Sequence, residues 1–339
     1  MKKNVTIRDV AKEAGLSIAT VSRHLNGKGS ISEQAEKKIK DVMARLDYKP
    51  NEIARSLSNR KTNTIALIIP DITNPFFPEL VVSIEGLAKE KGYNLVLINT
   101  QEEVLHSNGF WRNLESRFID GLILVSFQFT GNVLKGMENM NLPFVRIDRA
   151  AEDDENNSFG VDNHKGARLA VEHLIEVGCK KIAHISGPNS YPSSSERLKG
   201  YAATIERYFP KQKTPVYEGD FSLESGQKLT KQLMTDYPNC DGIFLANDLM
   251  AIGALKTLKL MNIRVPEDVA IIGFDGIKLT EMVAPEISTI EQPIFELGAM
   301  ATTHLIDMIE KKNVNSEYTK LDVQLRKRES TLGYKKGQE

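Results

Sequence analysis

A set of residues standing just past strand-like stretches shares one chemistry. Asn74, Phe76 and Phe77 follow the apolar run ending at Ile69, within "PDITNPFFPEL". Asp148 and Arg149 follow "FVRI", and Arg197 lies beyond "KIAHIS" at the start of the next helical pattern. Phe221 follows "VYEG", Asn247 follows "GIFLA", Asp275 follows "VAIIGF", and Gln292 lies just past "STI". Planar amides, carboxylates and guanidinium groups pair with hydroxyls in a plane, and the charged ones take two hydroxyls each. Phenyl rings pack against the C–H face of a pyranose or furanose. The set suits a small sugar. With no phosphate-cradling glycine loop and no excess of lysine, a neutral sugar is favoured over a nucleotide or sugar phosphate, while Arg149 and Arg197 leave an anion open.

Each residue also has a plainer reading. Asn74-Pro75 is a turn signal, and Phe76 and Phe77, which read as part of a loop, can plug the base of the following helix. Asp148 and Arg149 can pair with each other. Asn247 and Asp248 can cap the next helix, the better reading for Asp248. The ligand reading gains from their shared position, because ligands of open parallel sheets bind beyond the C-terminal strand ends.

The elements that must position these residues alternate. Strand patterns fall at Thr64–Ile69, Leu95–Asn99, Gly121–Val125, Phe144–Ile147, Lys181–Ser186, Val216–Gly219, Gly242–Ala246, Val269–Phe274 and Ser288–Ile290. Helical patterns fill the intervals, among them Pro78–Lys91, Asn163–Val177, Ser195–Tyr208, Leu223–Thr235 and Asp248–Met261. Runs such as "IALII" and "DGLILV" predict a parallel sheet covered on both faces. There are too many strands for one comfortable sheet, which predicts two doubly wound lobes.

Charge is uneven along the 339 residues. Residues 1–61 carry 14 Lys+Arg against 7 Asp+Glu; the whole chain carries 44 against 45, which leaves 30 against 38 for the rest. A basic head on an acidic body predicts that the head meets a polyanion. No secretory signal and no apolar run approaching the ~20 residues of a membrane span are read, so a cytoplasmic protein is expected. Cys179 and Cys240 stand apart without ligand-like neighbours, so buried thiols are expected rather than a metal site or disulfide. No cofactor is expected. Neither GxSxG, HExxH, a P-loop nor a strand-borne GxGxxG occurs, which argues against a sugar-acting enzyme and leaves no catalytic residue to name. His164, His173 and His184 read as surface or strand-edge residues.

The head reads as three helices. Thr6 with Asp9 forms a capping-box-like start to a helix carrying Ile7, Val10, Ala11 and Ala14, and Gly15 ends it. Ser17 caps a second helix, with Val21 and Leu25 inward, and a third runs from Ser32 with Ala35, Ile39, Val42, Met43 and Leu46. This is a helix-turn-helix pattern; a helical hairpin packing on another element is the alternative. Ile18 and Ala19 are placed to touch thymine methyls and Arg23 to pair with a guanine. Thr6, Ser17, Thr20 and Ser22 suit phosphate contacts.

"TIRDVAKEAGLSIATVSRHLNG" followed by "ISEQAEKKIKDVMARLDYKPNEIARSLSNRKTNTIALIIPD" resembles the DNA-binding head of the lactose/galactose repressor family over about 65 continuous residues. His24 departs from the small apolar residue commoner there, which bears on operator choice. The resemblance implies a hinge at 50–62 whose short helix forms when two copies pair in the minor groove, with Leu57 wedged into a base step beside Ala54 and Arg55, and with Asn51 at its start. It further implies lobes that exchange chain segments near 159–163, 289–293 and 320–323, similar to periplasmic sugar-binding proteins. The expected organisation is an N-terminal all-α helix-turn-helix head (1–49), the hinge (50–62) and an α/β core of two doubly wound parallel-sheet lobes (63–339), with lobe one at about 63–161 and 293–320 and lobe two at about 162–292 and 321–339.

"DITNPFFPEL", "IDRA", "SSERLKGY", "GDFS", "LANDLMAIGA", "IGFDG" and "IEQP" resemble the pattern of ribose-binding proteins and ribose-operon repressors. By that resemblance Asn74 binds a hydroxyl, Phe76 and Phe77 sandwich the ring, and Asp148 and Arg149 form one polar clamp. Arg197, Asn247, Asp275 and Gln292 hold the other face, and Phe221 closes it. The implied function is a sugar-responsive repressor of a sugar uptake or catabolism operon that binds double-stranded operator DNA as a homodimer. D-ribose is the first candidate effector, with fructose and sucrose behind it, and a phosphorylated carrier-protein corepressor is the alternative. "TLGYKKGQE" lacks the leucine heptad that some relatives use to form tetramers, which favours a dimer.

Overall fold

The structure, a computed structural model, describes residues 5–25, 31–48, 62–115, 119–125, 131–148, 157–314 and 318–334. The chain divides into two compact units, Met1–Thr62 and Asn63–Glu339.

In the first unit, α1 (Ile7–Ala14), α2 (Ile18–Leu25) and α3 (Glu33–Arg45) close around Val10, Ala11, Ala14, Val21, Ile39 and Val42. The Asp9 carboxylate accepts from the Thr6 backbone N–H at 2.9 Å and the Thr6 hydroxyl at 2.7 Å. Gly15 then turns the chain with φ 64°, a left-handed conformation that glycine adopts without steric cost. Ser17 Oγ accepts the Thr20 N–H at 3.1 Å, and Ser32 Oγ accepts that of Ala35. Arg45 donates to Glu13 at 2.9 Å, tying α3 to α1.

The second unit holds two six-stranded sheets. The first, in spatial order, is β11 (Thr319–Leu321), β5 (Ser158–Val161), β4 (Phe144–Ile147), β3 (Gly121–Val125), β1 (Thr64–Ile69) and β2 (Asn94–Asn99). The second is β12 (Gln324–Arg326), β10 (Ser288–Glu291), β9 (Ala270–Asp275), β8 (Gly242–Leu245), β6 (Ile182–Ser186) and β7 (Val216–Glu218). All neighbours run parallel except β10 and β12. Both sheets repeat the doubly wound order 2-1-3-4-5, whose switch point opens beside the first strand. In the second sheet that strand is β6.

Alternation along each strand fills a layer on either side. Ile65, Leu67 and Ile69 face α4 (Phe76–Glu90) and α12 (Ile294–Ile309), while Ala66 and Ile68 face Leu105 of α5 (Glu102–Leu105), Trp111 of α6 (Asn108–Glu115) and Val133 of α7 (Gly131–Asn139). In the second sheet Ile182, Phe244, Ile272 and Phe274 meet α8 (Asn163–Glu176) and α9 (Pro192–Tyr208). Ile185, Ile243 and Ile271 meet α10 (Leu223–Asp236) and α11 (Asp248–Leu260). The chain passes from the first sheet to the second after Val161. It returns with α12, where Ser83 Oγ donates to the Phe295 carbonyl at 2.7 Å, and then places β11 in the first sheet and β12 in the second.

Several expectations need correcting. Helix α4 begins at Phe76, not Pro78, so the two phenylalanines form a helical first turn rather than a loop. Turn chemistry explains it: Asn74 Oδ1 accepts the Phe76 N–H at 3.1 Å, and Pro75 is already in the helical region at φ −59°. Helix α9 begins at Pro192 rather than Ser195, with proline at its first position, so Arg197 lies in the second turn. Strands β5, β11 and β12, of three or four residues, carried too little periodicity to be read. The cap of α11 is Asn247, whose Oδ1 accepts the Met250 N–H at 2.9 Å; Asp248 does not cap. His173 and His184 are buried, at 2% and 0% exposure. His184 lies on interior strand β6, stacked between Tyr201 (5.0 Å) and Phe244 (4.6 Å), with Nδ1 donating to the Phe244 carbonyl at 2.9 Å. A neutral imidazole with an aromatic neighbour on each face and one hydrogen bond is apolar enough for a core.

Candidate functional site

A cavity of about 250 Å³ lies between the two sheets at the C-terminal ends of their strands. That is below the roughly 300–1,000 Å³ common for drug-sized ligands, which suits a small molecule. Asn74, Phe76, Phe77, Asp148, Arg197, Phe221, Asn247, Asp275 and Gln292 all line it. Arg149 lies outside the described residues.

Arg197 organises the second-sheet wall. Its Nε donates to Asn163 Oδ1 at 2.9 Å, Nη1 donates to the Ala246 carbonyl, and Nη2 stands 3.6 Å from Asp275 Oδ1. The guanidinium carbon lies 3.6 Å from the centre of the Phe274 ring, so the group is stacked as well as bonded. Gln292 Nε2 donates to Asp275 Oδ1 at 2.8 Å. Burial pushes the Asp275 carboxyl up, opposed by Arg197 and by the Gln292 amide; the Asp148 charge adds to the rise. Carboxylate, guanidinium and amide thus share one plane-bonding cluster with little freedom to rotate, which pre-organises it for hydroxyls.

The neighbouring Asp248 is buried and does not line the cavity. Its Oδ2 accepts the N–H groups of Gly276 (2.7 Å) and Ile277 (2.9 Å), and Oδ1 accepts the Thr289 hydroxyl at 2.6 Å. These bonds hold the turn just past Asp275, which itself sits at φ 119°. Asp148 (φ 64°) and Phe221 (φ 67°) are likewise left-handed. Non-glycine residues in that region cost about 1–3 kcal/mol each and persist where surroundings over-determine them. All three face one cavity.

The aromatic geometry departs from a sandwich. Phe76 and Phe77 are perpendicular, at 82° with centroids 5.3 Å apart, so one ring's edge meets the other's face. Tyr191, at the start of α9, meets Phe221 edge-on at 5.9 Å. Tyr191, Ser193, Asp71, Asp220 and Ser222 also line the cavity and were not singled out from sequence. Asp220 and Ser222 flank Phe221 in the quoted "GDFS", so proximity along the chain was the available signal; Tyr191 and Ser193 had none.

In the head, Ile18 (48% exposed), Ala19 and Arg23 project from α2, Thr20 and Ser22 are half-buried on it, and Thr6 and Ser17 stand at helix starts. The Ser17 and Thr20 hydroxyls hydrogen-bond each other at 2.8 Å. Asn51, Ala54, Arg55 and Leu57 lie outside the described residues. Both cysteines are buried as free thiols. Among the described residues no helix is long and apolar enough to cross a membrane, and no group of acidic, histidine and cysteine side chains is arranged to hold a metal.

Comparison with known proteins matches residues 6–51 to the bacterial regulatory proteins of the lacI family and residues 171–331 to a periplasmic binding protein-like domain. The chain is 41% identical over 329 residues to a ribose operon repressor of Halalkalibacterium halodurans, covering 97% of each chain. It superposes on the lac repressor dimer bound to operator and the anti-inducer ONPF with TM-score 0.87 and 28% identity, covering 98% of this chain and all of that one. A LacI family transcriptional regulator from Enterococcus faecium with bound ribose matches with TM-score 0.72 and 30% identity, over 80% of this chain and all of that one.

Proposed function

The chain belongs to the lacI family of bacterial regulatory proteins, and from that premise we propose that it is a cytoplasmic, homodimeric repressor of a sugar-uptake operon whose effector is D-ribose. It has a DNA-binding head and a two-lobed effector core, and its relatives are transcriptional regulators rather than enzymes. The head (1–49) reads the operator through Ile18, Ala19 and Arg23, with Thr6, Ser17, Thr20 and Ser22 on phosphates. The hinge (50–62) adds minor-groove contacts through Asn51, Ala54, Arg55 and Leu57.

The observation that carries the effector reading is the cluster of Arg197, Asp275 and Gln292 in a cavity of about 250 Å³ beside the perpendicular Phe76 and Phe77. Its groups pair hydroxyls in a plane, and its described charged lining holds four carboxylates (Asp71, Asp148, Asp220, Asp275) against one guanidinium. That balance favours a neutral ligand over a phosphorylated one. Asn74, Phe221 and Asn247, with Arg149, complete the contacts. Ribose favours the closed arrangement of the lobes, which disfavours hinge pairing and weakens operator binding; by linkage, operator DNA weakens ribose binding by the same factor.

The test is fluorescence anisotropy of a selected operator duplex at fixed salt, titrated with D-ribose, fructose and sucrose. Weakened binding with ribose at millimolar concentration or below, and not with the other two, is the expected result. No response to ribose removes it as effector and turns the search to a wider sugar panel or a phosphorylated carrier-protein corepressor.

A further inference from the structure

The two walls of the cavity are joined by two hydrogen bonds whose acceptors both belong to the first-sheet side. Glu79, in the first turn of α4 three residues past Phe76, accepts the backbone N–H of Lys278 at 3.0 Å. Lys278 follows the Gly276–Ile277 turn whose two N–H groups Asp248 holds. Three successive N–H groups beyond Asp275 are therefore taken by two carboxylates, one from each side of the cavity. The second bond runs from the Tyr191 hydroxyl to Glu102 Oε2 at 3.2 Å. Tyr191 lines the cavity and packs edge-on against Phe221, and Glu102 opens the short helix after β2.

We propose that Glu79 and Glu102 act as a pair of clasps that hold the two lobes closed over the cavity, and that Tyr191 serves effector binding as a positioning residue through Glu102. The effector part of this inference rests on the sugar-site reading above. Each clasp joins elements that carry cavity residues: Glu79 links the helix of Phe76 and Phe77 to the turn of Asp275, and Glu102 is linked through Tyr191 to Phe221. Closure and the shape of the site are thus one event. Opening the lobes breaks both bonds and withdraws both walls, so each clasp adds to effector affinity without the two glutamates touching sugar.

The test has two arms on the full-length protein. In the first, hydrogen exchange at the Lys278 amide is followed without sugar in wild type and Glu102→Ala. Glu102 belongs to the other clasp, so faster exchange at Lys278, by about threefold or more, reports opening; an unchanged rate overturns the clasps. In the second arm, D-ribose is titrated calorimetrically into wild type, Tyr191→Phe, Glu102→Ala and the double variant. Each single change is expected to weaken binding about 3- to 10-fold, with the double variant no weaker than either single one. Loss in Tyr191→Phe with none in Glu102→Ala would mean that the Tyr191 hydroxyl acts on the sugar directly, and overturns its positioning role. Glu79→Gln keeps an acceptor for Lys278 and should bind ribose better than Glu79→Ala; equal losses overturn that clasp. If wild type binds no ribose, the effector reading fails, while the exchange measurement still decides the clasps.

Discussion

The Arg197 guanidinium lies flat against Phe274, 3.6 Å from its ring centre, while Nη2 reaches toward Asp275 on the residue that follows that phenylalanine. One arginine is thereby held by a ring below, an amide and a carbonyl at its sides, and a carboxylate ahead. Lysine keeps the charge but has neither the planar face nor the fork. Arg197→Lys is expected to lower ribose affinity by about 100-fold or more and to cost roughly 1–3 kcal/mol of core stability. Calorimetry and denaturant unfolding measure the two losses; ribose affinity within threefold of wild type would remove Arg197 from the site.

Asp248 is expected to matter for binding although it does not line the cavity. In Asp248→Ala, both carboxylate oxygens are lost, leaving the Gly276 and Ile277 N–H groups and the Thr289 hydroxyl without the acceptor they share. Leaving buried donors without an acceptor costs about 1–3 kcal/mol. A lowered denaturant midpoint together with weaker ribose binding is expected, because the turn that holds Asp275 at φ 119° loosens.

Gly187 has no room for a side chain: a Cβ there would stand 2.2 Å from the Phe221 ring. In Gly187→Ala the ring must move, and it moves within the cavity. The expected result is roughly tenfold weaker ribose binding with little change in the unfolding midpoint, since Phe221 is a partly exposed side chain. A large stability loss with unchanged affinity would contradict the placement of Phe221 against the ligand.

The core should carry an acid-sensitive histidine. Burial lowers the His184 imidazole from 6.5 to about 4, with the Arg197 charge acting in the same direction and the Phe244 carbonyl opposing. The folded state refuses a proton that the unfolded chain accepts. Its stabilising contribution is therefore complete above pH 6.5 and is lost as pH falls toward about 4. The slope is about 1.4 kcal/mol per pH unit for one such group. His184→Phe keeps the stack on Tyr201 and Phe244 and should flatten the acid limb of stability against pH by that amount. Parallel acid limbs in chemical unfolding would show that His184 does not titrate with folding.

Arg23 is exposed on α2 and is expected to read a base. Arg23→Ala should weaken operator binding by about 1–3 kcal/mol while changing affinity for unrelated duplex much less. Anisotropy on both duplexes at several salt concentrations separates base reading from phosphate contact, because a lost phosphate contact lowers the salt slope on both.

Much of the fold was legible because its signals are local. The buried strands are unbroken apolar runs, Thr6, Ser17 and Ser32 stand at helix starts, and Gly15 turns the chain as read. The helix-turn-helix followed from period and capping and the doubly wound lobes from the alternation and number of strands, and the position of most candidate site residues at the cavity followed from their place beyond strand ends. What failed locally failed for local reasons. Asn74-Pro75 reads as a turn leading into a loop but starts a helix, and β5, β11 and β12 are too short, at three or four residues, to show a period of their own.

The sequence by itself determined that residues just past several strands reach the cavity, because a parallel strand delivers the residue after its C-terminal end to one edge of the sheet, whereas Tyr191 and Ser193 arrive with helix α9 and carry no such signal. Only the tertiary structure decided how those residues are set. The perpendicular Phe76 and Phe77, the Arg197 stack on Phe274, the Asp248 turn and the two glutamate clasps all join groups brought together by packing of separate elements. Glu79 and Lys278, or Glu102 and Tyr191, lie far apart along the chain, and no local periodicity specifies a hydrogen bond between positions that meet only when both sheets are formed.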